Sequence, residues 1–276
     1  MAVNLATKYS GKVDERFKLK SLTEASVHQD YDWEGTQSIK VYSIATSAMN
    51  DYTRSGTTRY GTPAELDDTI ATYTLAKDRS FTFTIDKGNN MDSLMVREAG
   101  KALARQNDEV VVPELDIYRL SKYVAAAAAN GGRPTAAAIT AANAYVSFLS
   151  AQEYLDENKV PVEGRIAYVT PKFFNLIKQD GTFSKAADLT VQRLINGQVG
   201  DIDGVKIIKV PSTYFPTKTP FILTHKSVMV APKKLQDYKI HDNPPGISGA
   251  LCEGRIYYDA FVLEAKKKGV YAWLEV

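Results

Sequence analysis

The hydrophobic and polar positions follow a period of two through the first third of the chain. Ser38-Ile39-Lys40-Val41-Tyr42-Ser43-Ile44 is β-branched and aromatic and reads as a strand. The stretch Asn50 to Pro63, with Gly56, Gly61 and a closing Pro, is polar and reads as a loop or hairpin tip. The chain returns with Ala71, Tyr73 and Leu75 alternating with Thr72 and Thr74. After a turn at Lys77-Asp78 it alternates again, Phe81, Phe83 and Ile85 against Thr82, Thr84 and Asp86. Residues 38–87 are therefore expected to be long antiparallel strands. An isolated hairpin of that length is marginal in water, so it must lie on the rest of this chain or on a neighbouring copy.

The period then becomes helical. Asp92 or Ser93 is a fair N-cap for a helix carrying Leu94, Val96, Ala99 and Leu103. Pro113 either kinks this helix or opens a second one, which runs through Ala125–Ala129 and stops at Asn130-Gly131-Gly132. If the two are collinear, some 35 residues reach roughly 50 Å, longer than a compact globule requires. A third helix is expected from Thr135, as N-cap, to about Asp156. Beyond it, Gly164 to Thr170 reads as a buried strand ended by Pro171, followed by a helix over 172–179. Strands are expected at 205–210, 221–224 and 228–230. Asn243-Pro244-Pro245-Gly246 reads as a linker, and the end as a hairpin, 255–264 with 270–276, turned through Lys266-Lys267-Lys268-Gly269.

Composition narrows the function classes. The 276 residues are 44% hydrophobic and 24% charged, as in ordinary globular proteins, and 34 basic against 32 acidic residues leave a net charge of +2. That balance lacks the strong basic surplus of phosphate-dominated nucleic-acid binding. One cysteine, Cys252, and three histidines argue against a disulfide scaffold and a zinc enzyme. No apolar run is long enough for a signal peptide or a membrane span. Cys252 reads as a small buried hydrophobe. Tyrosine supplies 16 of the 28 aromatics, which suits either strands or surfaces buried on assembly. From Lys8 to Lys20 an N-terminal arm carries Lys8, Lys12, Arg16, Lys18 and Lys20 against Asp14 and Glu15. Such an arm can touch nucleic acid or an acidic partner, or be a solvated terminus.

Catalytic and cofactor signatures are missing: no phosphate loop, dinucleotide fingerprint or zinc-helix motif. Gly197, Gly200 and Gly204 have the wrong spacing for a dinucleotide loop, and Asp201-Ile202-Asp203-Gly204 reads as a hairpin turn rather than a calcium loop. His28, Asp30 and Asp32 alternate as an extended chain would need for a metal site, a weak signal against a solvated edge. Ser248, between Gly246 and Gly249, is not a nucleophile elbow. A triad assembled in space from His225 or His241 has no motif behind it. The expectation is no catalytic residue, no metal and no cofactor.

The order of elements — arm, long extended loop, long helix, α/β region, returning strands — resembles the major capsid proteins of tailed bacteriophages, a fold shared with the herpesvirus capsid floor and encapsulins. The wording that carries the resemblance is Asn50-Asp51-Tyr52-Thr53-Arg54 with Arg59-Tyr60-Gly61, then Asp78-Arg79-Ser80-Phe81-Thr82-Phe83. Arg165 to Pro171, Gly204 to Ile208 and Gly254 to Phe261 extend it over nearly the whole chain. The resemblance implies an α+β chain with an N-terminal arm over 1–34 and an extended loop over 35–90. It implies a peripheral domain with a spine helix over 91–133, an axial domain over 134–243, and returning peripheral strands over 244–276. It implies no enzyme but a shell protein, assembling as homo-pentamers and homo-hexamers in the host bacterial cytoplasm into the icosahedral virion capsid. Scaffolding protein, portal and weakly, non-specifically contacted double-stranded DNA would be its partners, with no membrane. Arg54, Arg59 and Tyr60 are expected to be inter-subunit contacts at the loop tip, since arginine and aromatic side chains are enriched at interface hot spots. The basic arm would face the interior. An encapsulin-type shell and a phage tail protein are the alternatives.

Two features depart from some relatives. Many carry a long scaffolding region ahead of the arm, whereas Met1 here stands at the arm itself, which points to a separate scaffold, to none, or to a trimmed chain. Others crosslink a loop lysine to a neighbour's asparagine. This chain has no lysine between Lys40 and Lys77, so a non-covalent shell is expected.

Overall fold

The computed structural model describes residues 21–28, 38–92, 99–180 and 201–276. A short strand β1 (Val27–His28) precedes the two strands of the extended hairpin, β2 (Ser38–Ile44) and β3 (Asp68–Thr74). These pair antiparallel in full register, Ser38 opposite Thr74 and Ile44 opposite Asp68. β4 (Lys77–Asp86) continues the period of two but does not fold back on β3. This corrects the expected turn at Lys77-Asp78. The chain passes through buried Leu75, and Ala76 donates its N–H to Asp259 Oδ2 at 2.9 Å. β4 thereby enters a different sheet, whose other strands lie about 160 residues further along.

The long helix is built in pieces. After α1 (Lys87–Asp92), α2 (Ala99–Gln106) passes through a wide π turn at Asn107–Val111 into α3 (Val112–Ala129). Helical dihedrals persist across both junctions. The segment spans 31 residues, about 46 Å at 1.5 Å per residue. The π turn lies just before Pro113, which lacks an N–H and crowds the preceding carbonyls, so the wider turn absorbs the proline without ending the rod. Of the two roles open to Pro113, it takes the second in position, standing in the first turn of α3, while the rod runs on through the π turn ahead of it. The rod stops where Asn130-Gly131-Gly132 predicts. Gly131 takes φ +74°, and Gly132 N donates to Ala127 O at 2.9 Å, closing the last turn. The expected helix start at Leu94 and Val96 lies outside the described residues.

Next come β5 (Thr135–Ala136), α4 (Ala144–Glu157), β6 (Arg165–Val169) and α5 (Pro171–Gln179). The third helix therefore begins nine residues later than Thr135. Thr135–Ala136 pair in parallel with β15 (Leu274–Glu275), and Trp273 Nε1 donates to Ala137 O at 3.3 Å. Alanine's helix propensity is overridden by this pairing with the far end of the chain. Thr170, read as the end of the strand, caps α5, its hydroxyl accepting from Phe173 N at 3.3 Å, with Pro171 at the first turn. β7 (Asp201–Ile202) and β8 (Val205–Lys209) form the hairpin read from Asp203-Gly204, both of which have positive φ.

The remaining strands are β9 (Phe221–His225), β10 (Met229–Val230), β11 (Lys233–Asp242), β12 (Gly249–Tyr258), β13 (Phe261–Val262) and β14 (Val270–Ala272), ahead of β15. A mixed five-stranded sheet has the order β14-β9-β6-β8-β7. A second sheet, β11-β12-β4, is antiparallel throughout. Asn243-Pro244-Pro245-Gly246 is therefore the loop of a long β11–β12 hairpin rather than a linker. The expected terminal hairpin also dissolves. β13 pairs with β10 and β14 with β9, while Glu264–Gly269 forms a 3-10 turn between them.

Three apolar clusters hold these layers. One lies between α4, α5 and the five-stranded sheet, around Phe148, Phe173 and Phe221. A second joins α3 to the other face of that sheet through Leu120, Tyr123, Tyr168 and Ile222. A third joins Val111 and Leu115 to Ile256 and Tyr258 of the second sheet, so the rod lies across both. Within the second sheet Gly254 stands between Phe81 of β4 and Tyr238 of β11. A Cβ there would meet the Phe81 ring at 2.4 Å. Cys252 is fully buried beside it, as read from the sequence.

Candidate assembly surfaces

The extended hairpin has little behind it. Its alternation is real, but only the face carrying Ile39, Val41, Ala71 and Tyr73 is half-buried. At its base Tyr73 packs on Phe261 with ring centroids 5.2 Å apart, and its hydroxyl accepts from Glu264 N at 2.9 Å. Beyond that the hairpin is in solvent. Tyr42, Ile44, Met49, Tyr52, Tyr60, Leu66 and Ile70 are seven of the fifteen exposed large hydrophobic side chains among the described residues. Scattered singly, such residues need no explanation; concentrated on one projecting element, they mark a surface that is covered in use.

The tip is folded, not slack. Thr53 N donates to Arg59 O, and Gly61 N to Thr58 O, both at 3.1 Å. Arg59 Nε donates to Gly56 O at 3.0 Å, spending one of five guanidinium donors on the turn. Tyr60 is 85% exposed and packs edge-on against Tyr52, ring centroids 5.0 Å apart. Arg54 is exposed inside the turn closed by Thr53 and Arg59. The structure thus brings Arg54, Arg59 and Tyr60 together on one preformed knob. Tyr42, Tyr52 and Tyr60 sit on this surface, whereas Tyr123, Tyr168, Tyr258 and Tyr271 are core. Burial, with a neighbouring tyrosine, pushes the Tyr271 hydroxyl up to about 12.

The basic residues Lys8, Lys12, Arg16, Lys18 and Lys20 lie outside the described residues, as do Asp30 and Asp32. What the sequence did not reveal is how the arm is rooted. Asp116 on α3 is 1% exposed and accepts from Ser21 Oγ (2.8 Å), Leu22 N (2.8 Å) and Thr23 Oγ1 (2.5 Å). One turn on, buried Arg119 donates to Thr23 Oγ1 and to Glu24 Oε2. Burial alone would raise the Glu24 carboxyl. Arg119, with Lys233, outweighs that and holds it below its ordinary value. Ser26 is gripped by Tyr123 and Tyr168, whose hydroxyls both donate to its Oγ. The Asp116-x-x-Arg119 spacing placed both groups on one helix face. Their partners, more than 90 residues upstream, left no mark in the local pattern.

The histidines have structural partners. His225 is nearly buried in a β-turn, Nδ1 2.9 Å from Ser227 Oγ and Nε2 donating to Glu163 O at 2.8 Å. In a triad Nε2 would face the serine and Nδ1 a carboxylate; here Nε2 is tied to a backbone carbonyl and Nδ1 to a hydroxyl. His241 lies on the open face of the second sheet, 3.3 Å from Glu253. His28 Nε2 donates to Ser227 O at 3.1 Å. Among the described residues no group of three His, Cys, Asp or Glu side chains is disposed to hold a metal ion, and no helix is long and apolar enough to cross a membrane.

An arm rooted on a long rod, a projecting hairpin with an apolar skin, and two sheets astride the rod define a phage capsid fold. Solved structures share it over almost their entire length. One from Mycobacterium phage Che8 superposes with a TM-score of 0.71 at 16% identity, covering 98% of this chain and 96% of its own. The mature capsid of bacteriophage PhiM1 gives 0.76 at 12% identity, covering 99% and 92%. The capsid of cyanophage P-SCSP1u gives 0.74 at 14%, covering 98% and 93%. No curated protein matches by sequence. The profile of the phage capsid protein family matches residues 67–260, and the chain belongs to that family. Its function is that of a phage major capsid protein, a structural component of the virion shell that associates with copies of itself. The encapsulin and tail-protein alternatives are not favoured.

Proposed function

We propose that the chain assembles through homo-pentamers and homo-hexamers into an icosahedral shell around double-stranded DNA, with each extended hairpin laid across a neighbouring subunit. The observation that carries this reading is the hairpin's uncovered apolar surface, since a two-stranded ribbon cannot hold so many exposed hydrophobic side chains to its own advantage. Arg54, Arg59 and Tyr60 form the contact knob at its tip. The basic arm, rooted at Asp116 and Arg119, faces the interior and the packaged DNA. Assembly takes place in the host bacterial cytoplasm with a scaffolding protein and a portal, and the protein has no catalytic role. In this reading 35–90 is the extended loop, 91–133 and 244–276 the peripheral domain, and 134–243 the axial domain. The pairing of β11 with β12 supports moving its residues to the peripheral side.

The test is Arg59→Glu. Charge reversal on the knob is expected to abolish closed particles, seen by negative-stain microscopy and sedimentation, while circular dichroism and the unfolding transition of the free subunit stay those of the parent. Normal particles from this variant would refute the knob assignment.

A further inference from the structure

A second surface on the body of the protein matches the hairpin in charge and shape. Between the end of α4, the β9–β10 turn and the 3-10 turn Glu264–Gly269 lies a cleft of about 250 Å³. Its floor is apolar, with Val160, Pro161 and Val228; its rim carries Lys159, Lys266 and Lys268, and no carboxylate lines it. Lys266 Nζ is held at the rim by donating to Ser227 O at 3.2 Å. Lys226 stands next to the cleft, its stem against Gly164. Among the described residues no carboxylate pairs with Lys159, Lys226 or Lys268, whereas Arg79, Arg119, Arg165 and Arg255 are each paired. The cleft is thus a pocket of uncompensated positive charge around a greasy centre.

The hairpin carries the complement. Residues 45–68 hold Asp51, Glu65, Asp67 and Asp68 against only Arg54 and Arg59. Three of those carboxylates crowd into Glu65-Leu66-Asp67-Asp68, all exposed and without an ion-pair partner among the described residues. Leu66 between them is 53% exposed. We propose that Glu65–Asp68 of one copy docks in the lysine cleft of a second copy, Leu66 entering the apolar floor and the flanking carboxylates meeting Lys266, Lys268 and Lys159. The arrangement has an apolar centre inside a charged rim, as specific interfaces have. The occupant comes from another copy because the hairpin leaves its own body beside this cleft. Tyr73 is anchored at Glu264, and Asp68 stands five residues out along β3, about 17 Å away at 3.4 Å per residue. This rests on the reading of the hairpin as an inter-subunit element and names the place it reaches.

The experiment is a charge swap in the full chain. Lys266→Glu/Lys268→Glu and, separately, Asp67→Lys/Asp68→Lys are each expected to slow particle formation at least tenfold, measured by light scattering and sedimentation. Combining all four is expected to restore most of the rate. Asp67→Cys/Lys268→Cys is expected to give disulfide-linked multimers on non-reducing gels, Cys252 being buried and out of the way. Parent-like assembly of Lys266→Glu/Lys268→Glu, or a quadruple variant no better than either double, overturns the proposal. So do particles of that variant that form at the parent's rate but hold less DNA, which would make the cleft a phosphate site. If Arg59→Glu blocks assembly while the swap fails to rescue, the hairpin reading stands and the cleft assignment falls. If none of these variants affects assembly, both fall.

Discussion

Asp116 shows how much one side chain organises here. Its carboxylate is almost wholly buried, yet it is answered by three donors from the arm root, so it is stabilised by the segment it holds. Taking it away leaves Leu22 N and two hydroxyls without their acceptor, and hydrogen bonds to charged groups are worth roughly 1.5–3 kcal/mol. Asp116→Ala is expected to lower unfolding stability by about 3 kcal/mol in a denaturant titration, with protease sites opening first around Ser21–His28. A loss below about 0.5 kcal/mol would mean that the network is decorative. From the sequence Asp116 was one more polar position on a helix, because burial of a carboxylate depends on what packs over it.

At the scale of elements, what could be read was what the chain decides locally. The strand Ser38–Ile44, the strand end at Thr170-Pro171, the Gly131 stop and the Asp203-Gly204 turn all depend on neighbours within four residues. What could not be read was pairing. β4 has the same alternation as β3 yet pairs with β12, where Gly254, some 170 residues on, leaves room for Phe81. Likewise Thr135–Ala138 would be helix on propensity but is held extended by Leu274–Glu275. The role of Gly254 can be tested. Gly254→Val would drive a branched side chain into Phe81 and Tyr238, and overpacking of this kind costs about 1–3 kcal/mol. The expected result is a matching fall in stability, relieved by adding Phe81→Ala; no relief would remove the steric explanation.

The molecule as a whole is an assembly part whose exposed features look outward. The arm root, the knob and the lysine cleft are separate features of the molecule, and a chemical argument limits how copies can be joined through them. Between Lys40 and Lys77 there is no primary amine on the projecting hairpin. Arginine does not form an amide with asparagine, so particles boiled in SDS are expected to run as one 30.5 kDa band. A ladder of subunit multiples would show a crosslink elsewhere. The capsid class was legible in the order of elements. The cleft was not, since its lysines come from three separate stretches that only folding brings side by side.

The place of β14 in the chain bears on synthesis. Val270–Ala272 complete one edge of the central sheet, and Val270 and Ala272 pack in the cluster that also holds Leu120 and Tyr123 of the rod. The body therefore cannot close until Val270–Ala272 have cleared the ribosome. A nascent chain, however long its hairpin has been exposed, has no finished body to offer a neighbour, and a prematurely terminated one never acquires it. Quality control of the building block is written into its chain order: only a polypeptide translated past β14 can be counted into a growing lattice.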